Sequence, residues 1–306
     1  DPGLRIMVID DGSDDDTASL MRLTGSLSGF PDSCGHVVAL HNDTADTFRA
    51  MAASIDRATH HVNALYFQTS WDEYSAPFYE ALERAKARGV TVRLLVDHHG
   101  MRTIPGHRRF RRRLDDMGIL WHQMLPFAPL RGHIRRPDLR NHRKLLVVDG
   151  HEAYIGSHNL VAPDYDTPSF QKAGITYDDT SVSLTGRIVT QIEAVFALDW
   201  YYACKEVLTP ADLTPPTARE EDEREDTSAS SMQIIPSGPA FRGEPNLRAF
   251  VHMVSSARTH VSIASPYFIP DEALMTALTN AALSGVEVEL FLSEQFDQFL
   301  VGHAQR

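Results

Sequence analysis

Residues 141–149 read Asn141-His142-Arg143-Lys144-Leu145-Leu146-Val147-Val148-Asp149, and Gly156-Ser157-His158-Asn159 begins seven residues further on. The run Leu145 to Val148 has the apolar density of a buried strand. Extending that strand backward puts His142 and Lys144 on one face, because strand side chains alternate with period two. An imidazole beside a fixed cation, with a hydroxyl and an amide nearby, suits chemistry on a phosphodiester. The imidazole can attack phosphorus, while the ammonium and the polar donors hold the negative oxygens. His142 is therefore the candidate nucleophile and Lys144 the candidate phosphate-oxygen ligand. Asn159 and Ser157 are candidate donors to the charged transition state, with a plain turn after Gly156 as the alternative for both. Asp149 lies an odd number of residues from His142. It is expected on the other face, anchoring a turn or pairing nearby rather than touching substrate.

Strands and helices alternate around this motif. Val37 to Leu40 reads as a short strand and Thr47 to Ala58 as an amphipathic helix. Val62 to Phe67 reads as a strand, and Pro77 to Arg88 as a helix stopped by Gly89. Val90 to Val96 is a second strong strand closed by Asp97, and Phe110 to Met117 is a helix stopped by Gly118. The pattern predicts an α/β layered fold. It recurs later in the chain. Ala58 to Phe67 aligns with Ala257 to Phe268, and the strand ending GVTVRLLV aligns with one ending GVEVELFL. A repeat of this length implies two similar lobes. The expected divisions are a polar N-terminal segment over 1–36, poorly ordered, and a first lobe over 37–208. An acidic Pro/Ser-rich linker over 209–231 and the first half of a second lobe over 232–306 follow. By the repeat, a second His-x-Lys motif is expected near position 338, so the chain reads as a fragment.

The 306 residues are 42% hydrophobic and 23% charged, a globular composition large enough for a sizeable core. The two cysteines, Cys34 and Cys204, form neither a disulfide framework nor a metal pattern. No apolar run approaches the roughly 20 residues of a spanning helix. Charge is uneven. The net is −12, yet Arg102 to Lys144 carries twelve Lys/Arg against three Asp. A local basic stretch in an acidic protein suits an anionic partner, a phospholipid headgroup or a nucleic acid; a solvated arginine-rich helix over Arg108 to Arg113 is the plainer reading. No cofactor or metal is expected. The pairs His60-His61 and His98-His99 are read as strand neighbours with diverging side chains, poor ligands for one ion. Trp71, Tyr74, Phe127 and Tyr165 are candidates for an acyl groove, with core packing the plainer use of each.

The combined spacing His-x-Lys-x4-Asp with a downstream Gly-Ser-x-Asn resembles the phospholipase D superfamily. Asp138 to Lys144 followed by Val147-Val148-Asp149-Gly150, Pro236-Ser237-Gly238-Pro239, and Ser265-Pro266-Tyr267-Phe268-Ile269-Pro270-Asp271-Glu272 look like bacterial cardiolipin synthases. The resemblance implies a phospholipase D-like layered fold, a mixed β-sheet flanked by helices in two pseudo-repeated lobes, the second truncated. It implies a phosphatidyltransferase that passes a phosphatidyl group to a phosphatidylglycerol hydroxyl through a covalent phosphohistidine. Asp179 is, by resemblance, the carboxylate that orients His142; an ordinary loop acid is the alternative. The implied partners are an anionic phospholipid and the cytoplasmic face of a bacterial membrane, with nucleic acid less favoured and a two-lobed monomer favoured over a homodimer. The chain departs from the synthase pattern at Gly156-Ser157-His158-Asn159, nearer to hydrolytic members, and at Tyr177-Asp178-Asp179-Thr180. Hydrolysis by a phospholipase D or a nuclease is therefore the alternative, as is a catalytically incomplete phosphate-binding fragment.

Overall fold

The computed structural model describes residues 14–126, 140–165, 167–213, 229–238, 241, 243–265 and 268–292. They fall into two compact units, one centred on residues 32–234 and one that joins residues 14–31 to the described residues after Ile234.

In the first unit the chain runs β1 (Ser33–His41), α2 (Thr44–Arg57), β2 (His61–Tyr66), α3 (Ala76–Ala87) and β3 (Thr91–Asp97). There follow α4 (His98–Thr103), α5 (His107–Met117), β4 (Leu120–Met124), β5 (Leu145–Val148) and β6 (Glu152–Gly156). It closes with α6 (Pro168–Ala173), β7 (Ser181–Thr185), α7 (Ile188–Cys204), α8 (Pro210–Leu213) and β8 (Ser230–Met232). The strands form one sheet in the order β4-β3-β2-β5-β6-β7-β1-β8. β2, β3 and β4 are parallel, joined through helices, and the β2–β5, β5–β6, β6–β7, β7–β1 and β1–β8 pairings are antiparallel. Within this mixed sheet β2 is covered on both faces. It is central, and all six of its residues are buried.

Alternation along β2 assigns the two layers. Val62, Ala64 and Tyr66 join a core with Phe48, Met51 and Ile55 of α2 and Phe78, Tyr79 and Leu82 of α3. His61 and Asn63 point the other way and both bond Glu193 of α7, at 2.6 and 2.9 Å. Burying each large side chain of this core contributes roughly 1.5–3 kcal/mol. Local signals support the helices. Asp43 caps α2 by accepting from the Asp46 N–H at 2.8 Å. Gly89 follows α3 with φ +89°, a backbone that side-chain-bearing residues adopt at a cost.

The second unit holds α1 (Asp14–Ser28), α9 (Pro245–Ser256), β9 (His260–Ser265), α10 (Glu272–Leu283) and β10 (Glu287–Leu292). β9 and β10 pair in parallel, His260 opposite Glu287, as β2 and β3 pair with His61 opposite Thr91. The helix-strand-helix-strand order thus occurs twice. Its small core is Val254, Ala277, Leu278, Ala281 and Val286.

Four expectations change. Residues 14–28 are helical and belong to the second unit, where α1 packs on α9, although the segment reads as polar and poorly ordered. Of the expected linker, Pro210–Leu213 form a helical turn and Ser230–Met232 a strand on β1; residues 214–228 lie outside the described part. His60 and His61 do not diverge: His60 precedes the strand in a bend, and the two Nδ1 atoms are 2.7 Å apart. His98 and His99 open α4 rather than lying on a strand, because Asp97 caps that helix.

Candidate functional site

The regular strand β5 begins at Leu145, where Leu145 pairs with Leu65 of β2. His142 and Lys144 lie in the extended segment just before it, so side-chain contacts rather than the ladder hold them. Alternation still governs. Asn141 and Arg143 are buried and reach α7, where the Asp199 carboxylate accepts from Asn141 Nδ2 at 3.0 Å and from Arg143 Nη1 at 2.7 and 2.9 Å. The Asn141 side-chain oxygen also accepts from the Arg143 N–H at 3.0 Å. Burial raises the Asp199 pKa, and Arg143 and Asn141 work against that rise.

On the opposite face the His142 ring stacks on Phe67, with centroids 3.8 Å apart and planes at 21°. Lys144 Nζ lies 5.5 Å from the same phenyl ring and donates to the His142 carbonyl at 2.6 Å. Phe67 is itself pinned. The α-carbon of Gly100 comes so close to the Phe67 carbonyl that a Cβ there would collide with it. Burial first, and the neighbouring Lys144 ammonium second, lower the His142 pKa to about 3. The imidazole is therefore neutral at neutral pH, the form that can attack phosphorus.

Asn159 sits one residue along the same wall. Its side-chain oxygen accepts from the Gln68 N–H at 3.0 Å, and its Nδ2 donates to the Tyr165 hydroxyl at 2.8 Å. Backbone bonds from Leu160 to Gln68 and from Ser70 to Leu160 tie the two segments together. Phe67 and Gln68 thus join His142, Lys144 and Asn159 at the end of β2.

The remaining candidates make other contacts. Asp149 is past the far end of β5, where its carboxylate accepts from the N–H groups of Thr59, His60 and His61 and from the Thr59 hydroxyl, at 2.8–2.9 Å. Burial opposes its ionisation, but those four donors outweigh it and lower the pKa. These bonds tie the turn after β5 to the bend before β2. The exposed Ser157 hydroxyl exchanges hydrogen bonds with the Thr180 backbone, accepting from its N–H at 2.9 Å. Asp179 acts electrostatically on His158, whose Nδ1 lies 2.9 Å from the Ser181 hydroxyl. Trp71 stacks on Tyr79, Tyr74 packs beside the core, and Tyr165 holds Asn159; Phe127 lies outside the described residues.

Sequence reasoning missed Asp199, Phe67 and Gly100. The polar pair Asn141/Arg143, at the opposite parity to His142, was the available signal that a buried acid waits on the other face.

A family model described as the phospholipase D-like domain of cardiolipin synthase matches residues 51–200. Cardiolipin synthase of Geobacillus kaustophilus is 31% identical over 94% of this chain and 55% of its own length. Cardiolipin synthase A of Proteus mirabilis is 30% identical over 94% of this chain and 58% of its own. The chain thus spans a little over half the length of these relatives. The crystal structure of phosphatidylserine synthase from Haemophilus influenzae shares the fold, with a TM-score of 0.60 at 13% identity over 93% of this chain and 70% of that one. Over residues 51–200 the chain thus carries the phospholipase D-like domain, of the cardiolipin synthase type, that this family model describes.

Proposed function

We propose that this protein transfers a phosphatidyl group from one phospholipid to the hydroxyl of another, phosphatidylglycerol being the substrate that the cardiolipin synthase relatives suggest. The observation that carries the reading is the His142 imidazole held face-on to Phe67 with the Lys144 ammonium beside it. An imidazole nitrogen of His142 attacks phosphorus, and the phosphorus–oxygen bond to the leaving glycerol breaks as that oxygen takes a proton. The acceptor hydroxyl then loses a proton and attacks phosphorus, and the phosphorus–nitrogen bond breaks. One difficult displacement becomes two easier ones.

Lys144 neutralises a non-bridging oxygen as charge gathers in each transition state. Asn159 sets the position of the Phe67–Gln68 wall and places its amide at the phosphate. Asp149 and the Asp199–Arg143 pair act at a distance, by fixing the two ends of the segment that carries His142. The second unit, which repeats the α2–β3 pattern, belongs on this reading to a second lobe of the same kind.

Incubating the protein with phosphatidylglycerol vesicles and separating lipid from water-soluble products tests the reading. Cardiolipin with free glycerol supports it. Phosphatidic acid without cardiolipin means that water is the acceptor, as the Gly156-Ser157-His158-Asn159 departure suggests, and overturns the transferase assignment.

A further inference from the structure

The arginines of α5 remain unused by this chemistry. The helix reads His107-Arg108-Arg109-Phe110-Arg111-Arg112-Arg113-Leu114. Phe110 and Leu114 are buried and all five arginines are exposed. At 100° per residue the arginines fan across the outward face. On one flank the Arg113 guanidinium lies 3.1 Å from the centroid of half-buried Trp71; on the other, Arg111 lies 5.8 Å from that of Trp121. Among the described residues no carboxylate pairs with Arg108, Arg109 or Arg112; Asp115, at the last turn, accepts from the Trp121 indole instead. So many like charges on one helix repel one another until an anionic partner covers them. The patch also connects with the site. α5 follows α4, which opens at the end of β3, and α4 is tied to the Phe67–Gln68 wall through the bond from Gln68 Nε2 to Thr103 at 3.0 Å.

We propose that the outer face of α5, flanked by Trp71 and Trp121, is the surface through which this unit docks on an anionic phospholipid bilayer. The inference rests on the lipid reading of the site and names how that site meets its substrate. A protein of net charge −12 is repelled by an anionic membrane at long range. Inside a Debye length of about 8 Å, only the local charge matters, and here it is strongly positive. Indoles favour the headgroup layer, and guanidiniums stacked on them stand at the depth of the phosphates. Trp71 also argues against single-stranded nucleic acid. Tyr79 and Arg113 occupy the faces of Trp71, so a base has no open ring there on which to stack.

The test is co-sedimentation of the whole chain with vesicles. It is made in a His142→Asn background so that lipid is not consumed and binding is read independently of turnover. Vesicles of equal phosphatidylglycerol and phosphatidylcholine are compared with phosphatidylcholine alone. The R108Q/R109Q/R112Q variant should lose on the order of 100-fold in partitioning, at about fivefold per basic residue. R108K/R109K/R112K should retain binding, which separates lost charge from a disturbed helix. Raising the salt should weaken binding, and neutral vesicles should bind poorly. Equal binding by the glutamine variant and its parent, or equal binding to the two vesicle types, overturns the proposal. So does loss of duplex or single-stranded oligonucleotide binding in the glutamine variant while vesicle binding stays unchanged, which would assign the patch to nucleic acid.

Discussion

Asp199→Ala isolates the contact that sets the face on which His142 stands. In the native protein the Asp199 carboxylate takes two contacts from Arg143, at 2.7 and 2.9 Å, and one from Asn141 at 3.0 Å, with all three residues buried. Removing it leaves the Arg143 guanidinium buried without its counter-charge, and breaking such a pair costs about 3–5 kcal/mol. That is a large share of the roughly 5–15 kcal/mol that holds a domain folded. The three tryptophans, Trp71, Trp121 and Trp200, all lie in the first unit, so their fluorescence reports its unfolding alone. With a urea slope of about 2 kcal/mol per molar, the midpoint should fall by about 2 M. The double variant Arg143→Met/Asp199→Leu, which removes both charges and refills the volume, should recover most of that loss, because apolar replacements of buried pairs are often neutral. Both variants should lose turnover, since the 141–144 segment is no longer pinned. A midpoint shift under 0.5 M for Asp199→Ala, or a double variant as unstable as the single, would refute the reasoning (about 1 kcal/mol being the worth of an ordinary surface pair).

Three further outcomes follow from the same geometry. Asp149→Ala removes the acceptor of four hydrogen bonds and should cost about 2 kcal/mol at pH 7. Because the Asp149 pKa is lowered on folding, its contribution is present above the unfolded value near ~3.9 and lost as pH falls through the folded one, so wild type and variant should converge in acid unfolding. The His142 ring, followed by NMR against a His142→Asn control, should not titrate between pH 8 and 5, since its midpoint is pushed down to about 3. The associated stability is complete above about pH 6.5 and is lost as pH falls from there toward the folded midpoint; a midpoint near the ordinary value would show an open, solvated ring. Gly100→Ala should destabilise the first unit by roughly 1–3 kcal/mol, because the new methyl meets the Phe67 carbonyl. It should also reduce turnover more than that loss of folded protein explains, by tilting Phe67 under His142; unchanged kinetics would remove Phe67 from the positioning role.

Much of the fold was readable from local chemistry. The α3–Gly89–β3 junction shows in a helical period that stops at a glycine before an apolar run. The shared face of His142 and Lys144 follows from period two. What resisted reading was long-range. Asp199 is 56 residues from Arg143, and nothing local marks which acid on α7 will meet it. The contact between His60 and His61 depends on a bend that ends just before β2 and that Asp149 organises from 88 residues away. The helix α1 has a polar sequence and forms against α9, a packing that local propensity does not report. The close approach of Gly100 to Phe67 is likewise a property of the assembled layers.

The central claim is that His142 carries the phosphatidyl group. The direct test uses a p-nitrophenyl ester of phosphatidic acid, whose leaving group departs without being protonated. The first step then needs only His142 and the oxyanion-binding groups beside it. The account predicts a burst of one nitrophenolate per chain and an acid-labile, base-stable phosphoramidate that maps to His142 by mass spectrometry, with both lost in His142→Asn. A full burst in His142→Asn, or an adduct mapping to any other residue, would contradict it.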